Sequence, residues 1–180
     1  ETDDFSQTKL AWCWSYLCNP VFENYSLTER KGYLRMKASE KTIDQVGTLT
    51  FIGRRQTEPR FQATTAIDVS SLKEGEEAGI TAYAAHTNHY DVVVECRGGR
   101  KYVKAYIRIG QVRHVEKKIS LNTDLIYLRI EGDYNYYHYW FGGWYREKKY
   151  DTIVSSEYDY PERESYNDSV NTISKKAAMR

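Results

Sequence analysis

The sequence predicts an all-β domain built as a two-sheet antiparallel β-sandwich. Three observations carry that prediction. Apolar and polar residues alternate with a period of two in one segment after another. No apolar stripe of helical period develops. Seventeen of the 180 residues are tyrosine, against two methionines and three prolines. Tyrosine suits a pleated, half-buried surface, its ring on the core and its hydroxyl in water. The length suits one domain with a proper core. Residues 1–150 are expected to form the sandwich and residues 151–180 a polar tail.

The elements follow in order. Ser26-Leu27-Thr28-Glu29 has the spacing of a capping box, but Gly32 follows closely and no apolar helical face develops, so it reads as a turn. Tyr33–Ala38 alternates and reads as a strand. Thr48–Ile52 does the same and is ended by Gly53. Phe61–Val69 places Phe61, Ala63, Thr65, Ile67 and Val69 on one face. Ala78–Ala84 groups Ala78, Ile80, Ala82 and Ala84. Tyr90–Cys96 contains Val92, Val93 and Val94, and Arg97-Gly98-Gly99-Arg100 is a turn whose glycines supply positive φ. Lys101–Ile109 sends Val103, Ala105, Ile107 and Ile109 inward. Leu125–Glu131 hides Ile126, Leu128 and Ile130. Tyr134–Phe141 is an aromatic strand closed by Gly142 and Gly143. After Asp151 alternation fades, with one short strand expected near Thr152–Ser155 and a loosely held end beyond it.

The totals exclude several functions. There are 26 basic and 25 acidic residues, net +1. A nucleic-acid partner would call for a basic excess, so none is expected. No run of 18 apolar residues exists, so no membrane span is expected. The chain starts at Glu1 with no charged and apolar leader, so it reads as a processed product or a piece of something longer, and its compartment stays open. The cysteines Cys13, Cys18 and Cys96 are odd in number and lack zinc-site spacing, so they read as buried or partly buried thiols.

Glu157, Asp159 and Glu162 match an E-x-D-x-x-E spacing used by some sandwich glucanases, where two carboxylates about 5 Å apart serve as acid and nucleophile. Pro161 interrupts that strand and the apolar flanks are missing, so no catalytic residue is assigned. His86, Asn88, His89 and Asp91 read as a hairpin loop with exposed histidines rather than a metal site. Asp3 and Asp4 offer hard oxygens to a structural calcium, but two acids fall short of the roughly six ligands that ion takes, and no cofactor is expected. Arg54, Arg55 and Gln56 stand out. Period two sends the two arginines in different directions after Gly53 relaxes the strand. One can clamp a carboxylate along the sandwich edge, and the other can face a partner or a sugar hydroxyl. Pairing with acids of this same chain is the alternative.

Five stretches then occur in a familiar order: DDFSQTKLAWCWSYLCNP, YSLTERKGYLRMKAS, TLTFIGRRQTEPRFQATTAID, EEAGITAYAAHTNHYDVVV and IYLRIEGDYNYYHYWF. From about Asp3 to Trp144 the chain resembles the C-terminal domain of family-43 glycoside hydrolases, the β-xylosidase and α-arabinofuranosidase group. The resemblance implies a jelly-roll sandwich of the concanavalin A-like lectin and glucanase type. It also implies that the chemistry belongs to a separate N-terminal five-bladed propeller with three acidic catalytic residues, so this chain is expected to be inert alone. The sandwich would pack on that propeller and help close its pocket around xylan or xylo-oligosaccharide. The Arg54-Arg55-Gln56 loop would brace the sandwich or touch the propeller. Lys31 stands where the family has Pro, and Ser15 near an Asn. Nothing after Tyr150 matches the family's closing strands, so its pocket-reaching aromatic is not carried over. The alternative is an independent carbohydrate-binding module, with Trp140, Trp144 and alternate tyrosines of Tyr134–Tyr139 as a stacking platform.

Overall fold

The computed structural model describes residues 2–134, 137–143 and 151–155. The chain divides into two compact units, Glu1–Arg55 and Gln56–Arg180. The second unit is a two-sheet antiparallel sandwich, the fold class expected. Its strands are β3 (Phe61–Asp68), β4 (Glu77–Ala85), β5 (Asn88–Arg97), β6 (Arg100–Ile109), β7 (Val112–Leu121), β8 (Leu125–Gly132), β9 (Tyr137–Gly143) and β10 (Asp151–Ser155). They form two four-stranded antiparallel sheets, ordered β10-β9-β8-β3 and β4-β5-β6-β7.

The inner faces follow from alternation. Ile126, Leu128 and Ile130 of β8 are buried with Tyr90, Val92 and Val94 of β5, Val103 and Ala105 of β6, and Tyr137 of β9. Ile80, Ala84, Ile107 and Ile109 pack around them. Alternation sends Ile80, Ala84, Val103, Ala105, Ile107, Ile109, Ile126, Leu128 and Ile130 inward as expected; Tyr90, Val92, Val94 and Tyr137 complete the core, and burial of the set drives closure of the sandwich. Gly79 is required where β4 meets β5, because a Cβ there would collide with the Val92 carbonyl oxygen.

The β5–β6 hairpin closes at Gly98 and Gly99, with φ of 61° and 67°. Both carboxylate oxygens of Glu74 accept the backbone N–H groups of this tip, at 2.9 Å from Gly98 and 3.1 Å from Gly99. Those bonds favour the ionised form and hold the Glu74 carboxyl below its ordinary value.

The first unit is built differently. Its regular structure is a 3-10 turn, Phe22–Asn24, and a two-residue pair, β1 (Tyr25–Ser26) with β2 (Arg35–Met36). Ser26 is bonded by the N–H groups of Thr28 and Glu29 but no helix follows, so the capping-box segment is a turn as expected. Two expectations are corrected here. Only Arg35 and Met36 of Tyr33–Ala38 form a strand, and Thr48–Ile52 forms none. The physical reason is that side chains satisfy this backbone. The Tyr25 hydroxyl accepts from the Phe51 N–H at 2.8 Å and donates to the Phe51 carbonyl at 3.1 Å. Ser39 Oγ accepts from the Thr50 N–H at 3.1 Å. Gly53 alone forms a bridge, exchanging two 2.8 Å bonds with Ser15.

Strand β7 lies where no strand was expected. It is exposed over most of its length and holds the edge of its sheet. The short strand expected near Thr152 is β10, and it extends the sheet beside β9. The rest of the tail lies outside the described residues. All three cysteines are free, and Cys18 is exposed rather than buried.

Candidate functional site

The Arg54-Arg55-Gln56 triplet falls across the boundary between the two units. In the first unit, Arg54 is exposed and places its guanidinium 5.7 Å from the centre of the Trp14 ring. Arg55 is exposed and makes no ion pair among the described residues. In the second unit, Gln56 accepts from the buried Tyr137 hydroxyl at 3.1 Å and donates to the Glu58 carbonyl at 2.8 Å. Thus the glutamine is tied to the core of the sandwich, whereas Arg55 faces water.

Trp140 lies on the outer face of its sheet, opposite Arg129. Its indole nitrogen is shut off from water and meets no hydrogen-bond partner among the described residues. Tyr137 of the same strand points into the core. Trp144, Glu157, Asp159 and Glu162 lie outside the described residues.

Asp3 and Asp4 spend their oxygens locally. Asp3 accepts from the Phe5 N–H at 2.9 Å and from the Trp14 indole N–H at 2.7 Å. Asp4 accepts from the Ser6 N–H at 3.0 Å, and the Ser6 hydroxyl and N–H hold its carboxyl below the ordinary value.

The histidine expectation is corrected. His89 is not exposed in a loop; it is buried in β5, with Nδ1 2.5 Å from Asp91 Oδ2. The two residues are one pleat apart, so both project from the outer face of the β4-β5-β6-β7 sheet. Tyr83 stacks on the His89 ring and Tyr106 meets its edge. Burial pushes the Asp91 carboxyl up, and the hydrogen bond and charge of His89 act against that rise.

The same face carries a charge network that sequence reasoning missed. Lys104 Nζ lies 3.1 Å from Glu77 and 2.7 Å from Glu95, and Lys118 also pairs with Glu95. Register places these groups together: Glu77 is opposite Glu95, and Lys104 is opposite Lys118. Burial alone would raise the Glu95 carboxyl, but the two lysines outweigh it and lower it. The available signal was the alternation of Glu and Lys on the polar face of consecutive strands. Here the two lysines and two glutamates neutralise one another and brace the face. Among the described residues, no group of three or more His, Cys, Asp or Glu side chains is arranged to hold a metal ion.

Among the described residues, the most exposed aromatic is Trp12 of the first unit, at 96%. Phe22 follows at 65%. Among the described residues, that unit contains a single buried residue, Leu49. Its apolar side chains therefore face outward far more than those of the sandwich.

A family model described as the beta xylosidase C-terminal concanavalin A-like domain matches residues 2–161. The non-reducing end alpha-L-arabinofuranosidase BoGH43B of Bacteroides ovatus is 35% identical over 131 residues, covering 73% of this chain and 23% of that protein. A beta-xylosidase of Formosa agariphila is 29% identical over 164 residues, covering 78% of this chain and 27% of that protein. The chain thus spans about a quarter of these relatives. Among solved structures, the GH43 BlXynB protein of Bacillus licheniformis superposes with a TM-score of 0.79 at 21% identity, over 86% of this chain and 30% of that one. That likeness is one of fold.

Proposed function

From the premise that this chain belongs to the family of beta-xylosidase C-terminal concanavalin A-like domains, we propose that it is a non-catalytic accessory domain. It packs on the N-terminal catalytic propeller of a xylosidase- or arabinofuranosidase-type hydrolase and helps close the pocket in xylan or xylo-oligosaccharide breakdown. The observation that carries this reading is the partial coverage of the relatives. A domain corresponding to about a quarter of a hydrolase leaves most of that enzyme's length for the chemistry. The state of the acids supports it. Glu77 and Glu95 are committed to lysines, and Asp91 is sealed against His89. None has the open, paired geometry that glycoside hydrolysis needs.

Arg55 belongs to the docking surface in this reading. Its fork matches a carboxylate bidentately, and it is exposed. Arg55→Ala is expected to weaken association with the catalytic domain while leaving the sandwich folded. Calorimetric association of equal strength would remove Arg55 from the surface.

The whole reading is tested with an aryl xyloside. The chain alone is expected to release no xylose, and release would overturn the accessory role. Electrophoresis in a gel containing soluble xylan tests the binding-module alternative, for which migration would be retarded. The accessory reading expects migration to be unaltered.

A further inference from the structure

We propose that the turn carrying Trp12 is the anchor by which this chain docks on the domain preceding it in the polypeptide. The inference rests on the accessory reading and names the residue that the docking surface is built around.

The turn combines a fully presented side chain with a fixed frame. Trp12 sits in the bend Ala11-Trp12-Cys13-Trp14, closed by the Trp14 N–H donating to the Ala11 carbonyl at 3.1 Å. Trp14 is held in turn. Its indole N–H donates to Asp3 at 2.7 Å, and the Phe5 ring lies 5.9 Å from its own. Ser15, the next residue, is bridged to Gly53. The backbone on either side of Trp12 is therefore pinned while its ring stays in water. An indole offers on the order of 200 Å² of largely apolar surface. Held on a braced turn, it loses little further freedom when covered, which is what a binding anchor needs.

The occupant follows from where the preceding chain arrives. The family places this domain C-terminally, and the relatives extend over more than two thirds of their length outside the match. Asp3 and Phe5 are both fastened to Trp14. A polypeptide entering ahead of Asp3 thus arrives beside the turn. The domain at the far end of that segment is held close to Trp12 by the chain itself, which raises its effective concentration there.

Hydroxyl-radical footprinting of this chain alone and of the full polypeptide carrying it tests the proposal. In the chain alone, Trp12 is expected to oxidise readily. In the full polypeptide, that oxidation is expected to be lost without added sugar. Protection elsewhere on residues 1–55 with Trp12 still oxidised would overturn the anchor and leave the accessory reading standing. No protection anywhere on the chain would overturn both. Protection of Trp12 that appears only when xylo-oligosaccharide is added would make the turn a sugar platform and would overturn docking through it.

Discussion

Residues 1–55 and residues 56–180 satisfy the same backbone requirement by different means. In the larger unit almost every strand residue is paired in a ladder, and the ladders bring Ile126, Leu128, Ile130, Val92 and Val94 into one core. In the smaller unit, hydroxyl and carboxylate side chains take the place of strands: Tyr25 serves Phe51, Ser39 serves Thr50, and Asp3 serves Phe5. A ladder buries apolar surface as it forms. A side-chain stitch satisfies polar groups and leaves apolar groups outside. The ladders of the sandwich thus come with a core of their own, whereas the smaller unit leaves Trp12, Val21, Phe22, Met36 and Val46 exposed.

The largest effect should come from the core. Leu128 is fully buried, so Leu128→Ala is expected to cost about 2–5 kcal/mol in urea unfolding. A cost near zero would mean that the ladder alone, rather than its core, holds the larger unit. Next comes the stitch. Tyr25→Phe removes the hydroxyl that bonds both the N–H and the carbonyl of Phe51 and is expected to cost about 1–2 kcal/mol locally. Hydrogen exchange should show faster loss of the Phe51 amide, with amides of β5 and β6 unaffected. If β5 exchanged faster too, the two units would unfold together and the contrast would fail.

A smaller effect is set by pH. The lysines hold the Glu95 carboxyl below its ordinary 4.5 in the folded chain. Such a group stabilises the fold above its unfolded value, and that contribution is lost as pH falls below about 4.5 through the folded value. Asp91, raised by burial, acts in the opposite sense, so the native chain must be compared with Glu95→Gln. The stability gap between them is expected to shrink on acidification. A gap independent of pH would mean that Glu95 acts through packing alone. The smallest effect belongs to Trp12: Trp12→Ala should change the stability of this chain by no more than about 0.5 kcal/mol, because the ring touches water almost everywhere.

Much of this was legible in the sequence, for physical reasons that also mark the limit. Phe61–Val69, Lys101–Ile109 and Leu125–Glu131 alternate because one face meets a core, and the structure buries the faces expected. Strand β7 was invisible because its residues are exposed on both faces, so no burial pattern was imposed on Val112–Leu121. Thr48–Ile52 has the alternation of a strand but finds hydroxyl groups instead of a neighbouring strand. His89 read as a loop residue because Asn88 resembles a turn signal, yet the turn falls one step earlier and His89 joins the ladder with Arg108. For the candidate site, sequence reasoning singled out exposed Arg55. It did not see Trp12, since a period says which face is buried and nothing about which turn is left open.

Strand β7 has a consequence for the behaviour of the molecule in concentrated solution. The outermost strand of a sheet is a template on which another chain can polymerise. Here that border carries the cations Arg113, Lys117 and Lys118, and its pairing with β6 slips by one residue at Glu116. Like charges repel an approaching copy, and the slip bends the rim away from the straight geometry that a growing fibril requires. The strand that period two failed to reveal thus carries, beside exposed Val112 and Val115, a charged and offset border that disfavours stacking of copies.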